Sequence, residues 1–228
     1  MKEGNSWLYH QLFDDWKRFE IIYIAILLLL QVVAYAIAPD SWIGMLSGLA
    51  GVICLVYGMK GRKITFIFGI IQCLAMTYIA WESKAYGSFL MDIFYVISQP
   101  IGWFMWGQDE AIHSFKKETR NYLFIGAFIA WGIGWFVLSM VGGQLPYFDS
   151  INLVISMIAQ VLYIFKFKEN WSLWIVVNIA NVVYWMILTA QFMMGQTDIG
   201  TLGGCLSQVA LQLALLFNSI YANKVWSE

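Results

Sequence analysis

The sequence predicts an all-α integral membrane protein with eight transmembrane helices. One peripheral N-terminal helix precedes a 3+1+3 bundle of two parallel three-helix repeats. Three observations predict this class. Hydrophobic residues fill 61% of the 228 positions and charged residues only 12%, about half the charged share of a soluble domain. Charge-free windows recur, most of them close to the ~20 helical residues that cross a bilayer core. Lys and Arg gather on one side of the resulting weave.

The elements follow in order. Residues 1–40 hold an interfacial segment and the first span, Ile21–Ala38. Met1–Glu20 mixes both charge signs, and no small-residue cleavage site follows the span, so no cleaved signal peptide is expected. Trp7, Leu8, Leu12, Trp16 and Phe19 are expected to line one side of a short interfacial helix. Residues 41–108 form the first repeat, with spans Ser41–Met59, Ile64–Trp81 and Ala85–Gln108. Residues 109–148 supply the longest polar loop and a linker span, Asn121–Phe148. Residues 149–228 form the second repeat, with spans Ser150–Phe165, Asn170–Thr197 and Ile199–Asn223. Asp92 is the one ionisable residue inside any span.

Of thirteen Lys and Arg residues, this weave puts twelve on one side and Lys84 alone on the other. The positive-inside rule then makes both termini cytoplasmic. The outer connections are short: Pro39-Asp40, Glu82–Tyr86, Gly143–Asp149 and Gly195–Asp198. With no soluble domain, function falls to the helix bundle.

The repeat reads at an offset of 106, placing Tyr57 on Tyr163, Lys60 on Lys166, Gln72 on Asn178 and Tyr78 on Tyr184. The register slips by about ten residues in the Gly-rich 195–204 segment, so that Asn218-Ser219-x-x-Ala222 stands against Gly102-Trp103-x-x-Trp106. One linking helix makes the triplets parallel, a plan known for carriers that hold substrate near the midplane.

Two polar stripes are the candidate site. Trp174, Asn178, Asn181 and Trp185 share a helical face at i, i+4, i+7 and i+11. Lipid offers amide side chains no hydrogen-bond partner, so such a stripe needs a reason. One reason is a ligand, bound by Asn178 and Asn181 with a tryptophan stacked on it. The other is helix contact by the asparagines and interfacial anchoring by the tryptophans. Asp92, Tyr95, Gln99, Trp103 and Trp106 share a second face, and Pro100 beside Gln99 suits a hinge or a static kink. Gln72, the partner of Asn178 in the repeat, Gln208 and Gln212, one turn apart, and Asn152, Ser156 and Gln160, on successive turns, complete the candidates. Gln31 reads as a helix-contact or oligomer residue, because its helix lies outside the repeat.

Other chemistries lack a basis. Cys54, Cys73 and Cys205 lie in spans and read as packing residues. His10 and His113 have no metal-ligand spacing around them. No catalytic triad, metal site, cofactor or nucleic-acid partner is expected, and no carboxylate relay for protons is visible. Uncharged polar and aromatic lining suits a neutral or weakly cationic organic substrate and a passive carrier. A membrane receptor that binds such a ligand without flux is the rival from another class.

Three features carry a resemblance to a known family. They are Glu169-Asn170-Trp171 with Leu173-Trp174-Ile175-Val176-Val177-Asn178, the Gly102-Trp103-x-x-Trp106 ending, and the 1+3+1+3 plan. Together they resemble the PnuC family of bacterial vitamin B3 transporters, whose plan is shared with SWEET sugar carriers. The resemblance implies nicotinamide riboside uptake by facilitated diffusion across the inner membrane, alternating access, and a homotrimer. In the family the substrate sits between the two triplets. That role would fall on Asn178, Asn181, Trp185, Gln72, Gln99 and neighbours. Asp92 departs from the Gln common in relatives, and carriers of other vitamins, thiamine among them, are similar.

Overall fold

A computed structural model of the chain describes residues 3–37, 42–82, 86–108, 111–140, 146–195 and 202–228. The outer connections expected at Pro39-Asp40, Lys84, Gly143 and Asp198 fall outside them. The described residues are almost wholly helical: α1 (Glu3–Phe13), α2 (Arg18–Ile37), α3 (Trp42–Met59), α4 (Thr65–Glu82), α5 (Tyr86–Gln108), α6 (Lys117–Met140), α7 (Pro146–Ser150), a π turn (Ile151–Ile155), α8 (Ser156–Ile164), α9 (Glu169–Met193) and α10 (Leu202–Val225). Five segments among the described residues are long and apolar enough to cross a membrane: Trp42–Met59, Thr65–Glu82, Lys117–Met140, Pro146–Ile164 and Glu169–Met193. Helices α2, α5 and α10 run 20, 23 and 24 residues.

The chain divides into two compact units, Met1–Glu110 and Ala111–Glu228. In the first, α4 packs between α3 and α5, and α2 packs on α3. Glycines set these approaches. A Cβ at Gly48 would collide with the Gln31 carboxamide, and one at Gly102 with the Phe66 ring. Phe66 is fully buried and meets Trp106 edge to face at 4.8 Å. Small residues let backbones close up where lipid gives no hydrophobic push between helices.

Helix α3 ends in a Schellman turn. Arg62 N donates to Tyr57 O at 2.9 Å and Gly61 N to Gly58 O at 3.0 Å, with Gly61 at φ 67°. Helix α8 ends the same way: Phe167 N donates to Leu162 O at 2.9 Å and Lys166 N to Tyr163 O at 3.0 Å. Here Lys166 takes the left-handed position, at φ 55°.

Each turn is clasped by residues from the N-terminal part of its own unit. In the first unit, Gln11 Oε1 accepts Ile64 N at 3.2 Å, and Tyr57 Oη donates to Leu12 O at 3.1 Å. Lys60 reaches Asp15 O at 2.8 Å and Glu20 at 2.5 Å. In the second, His113 pairs with the turn through both backbone groups, and Ser114 Oγ and Phe115 N donate to Glu169 Oε1 at 2.9 and 3.2 Å. The interfacial helix is therefore shorter than expected. Helix α1 stops at Phe13 because Asp15 is left-handed (φ 53°), so Trp16 lies in the connection and Phe19 in α2.

These clasped turns also correct the register of the repeat. Matching geometry sets Gly61 on Lys166, Phe66 on Trp171 and Cys73 on Asn178, an offset of 105 rather than 106. On the last helices, the Phe66–Trp106 contact corresponds to the edge-on Trp171–Trp226 contact at 5.6 Å. Ala222-Asn223-x-x-Trp226, not Asn218-Ser219-x-x-Ala222, thus stands against Gly102-Trp103-x-x-Trp106. The sequence alignment followed identical letters (Tyr57 on Tyr163, Lys60 on Lys166), whereas the turns align through backbone hydrogen bonds that any residue supplies.

Candidate functional site

The second unit carries the stripe of Trp174, Asn178, Asn181 and Trp185 on α9. Its core is apolar: Ile151, Ile155, Ala159, Leu162, Leu173, Val177 and Ala180 pack with Ala127, and Trp174 lies against them. The asparagines turn to different neighbours. Asn178 is buried and donates through Nδ2 to Ser219 Oγ of α10 at 2.8 Å. Asn181 Oδ1 accepts Asn152 Nδ2, from the π turn, at 2.8 Å. Ser156 Oγ bonds back to Asn152 O just beyond that turn. Trp185 is half-buried and sits edge-on to Tyr184 at 5.4 Å.

Both asparagines therefore tie helices together, as the helix-contact reading requires. Neither amide is used up by this. Asn178 keeps a second N–H and its carbonyl, and Asn181 keeps both N–H donors. Ligand contact and helix contact are compatible on the same side chains.

In the first unit, Gln72 of α4 lies over Gly51 of α3, where a Cβ would come within 2.9 Å of Nε2. Gln99 of α5 is buried over Gly69 of α4, with Nε2 3.9 Å from Cys73 Sγ. Helix α5 runs on through Pro100. In the corrected register, the Gln99–Cys73 contact corresponds to the Ser219–Asn178 contact of the second unit. Each unit thus crosslinks its middle and last helices at one matching depth. Asp92 is half-buried, and its Oδ2 has no hydrogen-bond partner. Tyr95 packs its ring on Phe94 at 5.4 Å. Trp103 receives Lys63 Nζ over its face at 4.4 Å and the Trp7 edge at 6.1 Å, so it belongs to the basic end.

On α10, Gln208 is half-buried and Gln212 is buried with Oε1 unpartnered. Asn218 was not among the candidates. It is 0% exposed, and neither polar atom of its side chain has a hydrogen-bond partner. A sequence signal did exist, since Asn218 lies ten residues past Gln208 on the same apolar helix. The shifted repeat register disguised it as a lost glycine.

Comparison with known proteins adds a family. A model described as nicotinamide mononucleotide transporter matches residues 41–228. The chain belongs to this family, the PnuC transporters. Within it, the nicotinamide riboside transporter PnuC of Neisseria mucosa is 29% identical over all of this chain and 89% of its own length. The Haemophilus influenzae nicotinamide riboside transporter PnuC is also 29% identical, over 94% of this chain and 92% of its own. A crystal structure of the vitamin B3 transporter PnuC superposes with a TM-score of 0.77 at 27% identity, covering 97% of this chain and 96% of that one. PnuC membership, with several membrane-length apolar helices, makes this chain a multi-pass membrane transporter of a small molecule and points away from an enzyme.

Proposed function

We propose that this PnuC-family chain is a uniporter for nicotinamide riboside. The observation that carries the reading is similarity over the whole chain to transporters named for that substrate. The chemistry of the candidate residues supports it. Asn178, Asn181, Gln72, Gln99 and Gln212 are amides, and Trp185 and Trp174 offer ring faces. Amides suit a carboxamide and ribose hydroxyls, and ring faces attract a pyridinium by about 1–2 kcal/mol when water is excluded. The mononucleotide in the family's description is a poorer fit. A phosphate among amides would lack a cation, and an unpaired buried anion is costly.

On this reading eight helices cross the bacterial inner membrane with both termini cytoplasmic, in a 3+1+3 arrangement. The two triplets alternate access by moving against each other, and the protein works as a homotrimer. Transport is facilitated diffusion, because no chain of buried carboxylates or histidines serves as a proton path among the described residues.

Two measurements test the proposal. Calorimetry on the purified protein should give saturable heat with nicotinamide riboside. Heat with thiamine but none with nicotinamide riboside would overturn the substrate. Uptake into proteoliposomes should proceed unchanged by proton or sodium gradients. Clear acceleration by either gradient would overturn the passive mechanism, and binding without flux would make the protein a receptor.

A further inference from the structure

Among the described residues, seven buried side-chain polar atoms lack a hydrogen-bond partner, and Asn218 holds two of them. Its amide nitrogen and carbonyl are both unsatisfied, and the residue is 0% exposed. Leaving a buried amide unpaired is unfavourable enough that native proteins nearly always supply a partner.

The corrected register shows what the other unit does at this place. Asn218 corresponds to Ser98, which is also buried. The Ser98 hydroxyl turns back onto Tyr95 O at 2.8 Å and is satisfied within its own helix. A hydroxyl can make that local bond, but the amide of Asn218 does not. The first unit thus carries a hydroxyl bonded to its own helix where the second carries a donor and an acceptor that have no hydrogen-bond partner.

The surroundings point the same way. Asn218 precedes Ser219, the residue that takes the Asn178 N–H. Six residues earlier, about 9 Å along the helix, Gln212 is buried with its carbonyl unpartnered. Helix α10 therefore carries two incompletely bonded buried amides within the two turns that end at the Ser219 contact with Asn178.

We propose that Asn218 is a substrate-binding residue that pairs its carboxamide with the carboxamide of the substrate. Two amides edge to edge form two N–H···O bonds, each side supplying one donor and one acceptor. The inference rests on the nicotinamide riboside reading above and adds a discriminating residue to it. A carboxylate in place of the substrate amide offers only acceptors, so it would leave the Asn218 carbonyl unpaired. Asn218 therefore selects the amide form of the ring over the acid form. Its complete enclosure means that substrate reaches it only as α10 shifts, which couples binding to helix movement.

The test is calorimetry with nicotinamide riboside and with nicotinic acid riboside, on the wild-type protein, Asn218→Ala and Asn218→Ser. The serine variant is the safeguard for folding, because Ser98 shows that a serine is accommodated at the matching buried position. Both variants should bind nicotinamide riboside at least tenfold more weakly, which is ~1.4 kcal/mol. They should also lose the preference for the amide form, while the ligand-free melting temperature holds or rises. Should the alanine variant melt lower, the serine variant decides. Serine-variant affinity within twofold of wild type, with the preference kept, overturns the role of Asn218 and leaves the transporter reading intact. Absence of wild-type binding to nicotinamide riboside overturns that reading and this inference together.

Discussion

The Asn178–Ser219 contact allows ligand binding and helix contact to be separated. Asn178→Leu removes the donor, and Ser219→Ala removes the acceptor, of one 2.8 Å bond between buried side chains. As helix glue this bond is modest. Hydrogen bonds between membrane helices average about 0.6 kcal/mol and reach about 1.7. Ser219 Oγ also donates to Leu215 O at 3.0 Å, so its own hydrogen is satisfied either way. Each substitution should therefore lower stability by a similar amount, about 1 kcal/mol. Affinity should divide them. If Asn178 also touches substrate, Asn178→Leu leaves a polar substrate group unpaired and costs a further ~1–3 kcal/mol, about 5- to 150-fold. Ser219→Ala removes no substrate contact and should weaken binding less than threefold, ~0.6 kcal/mol. Calorimetry with nicotinamide riboside, paired with thermal melts of the ligand-free proteins, reads both quantities. Equal losses of affinity in the two variants would refute the reasoning and make Asn178 a crosslink alone.

Two further predictions concern the first unit. Glu20 and Lys60 pair at 2.5 Å with side chains 2% and 8% exposed, and Glu20 also accepts Lys17 N at 3.0 Å. Glu20→Ala should destabilise by about 3–5 kcal/mol by leaving the buried ammonium without a counter-charge, whereas Glu20→Leu with Lys60→Met should restore most of it. A thermal-unfolding loss under 1 kcal/mol for the single variant would contradict a buried pair. Gly102→Ala should cost about 1–3 kcal/mol by overpacking, because the Phe66 ring it would strike is fully buried behind Trp106. Near-wild-type melting would show that Phe66 has room to move.

The helices were legible because membrane helices are written in charge-free length. Asp92 and Pro100 did not hide α5, since a single charge and a proline still leave a continuous span. The stripe on α9 was legible too, because 3.6-residue periodicity fixes which side chains share a face. Which neighbour that face meets was not. Asn178 and Asn181 lie three residues apart yet bond to α10 and to the π turn respectively. The clasps were invisible for a related reason. Leu12 and Asp15 act through backbone carbonyls, which have no side-chain signature. Asn218 was readable as a letter but not as an unsatisfied group, since satisfaction depends on the geometry of every neighbour.

The π turn at Ile151–Ile155 has a consequence for motion. It accommodates one more residue than an α-helix of the same height, and Asn152 within it holds Asn181. Releasing that surplus residue would twist everything on the α7 side by about 100° and slide it about 1.5 Å against α8. Such a step needs no hinge loop and breaks no span. The Asn152–Asn181 bond is then a latch on a one-notch screw, set in the same helix face that carries the candidate ligand groups.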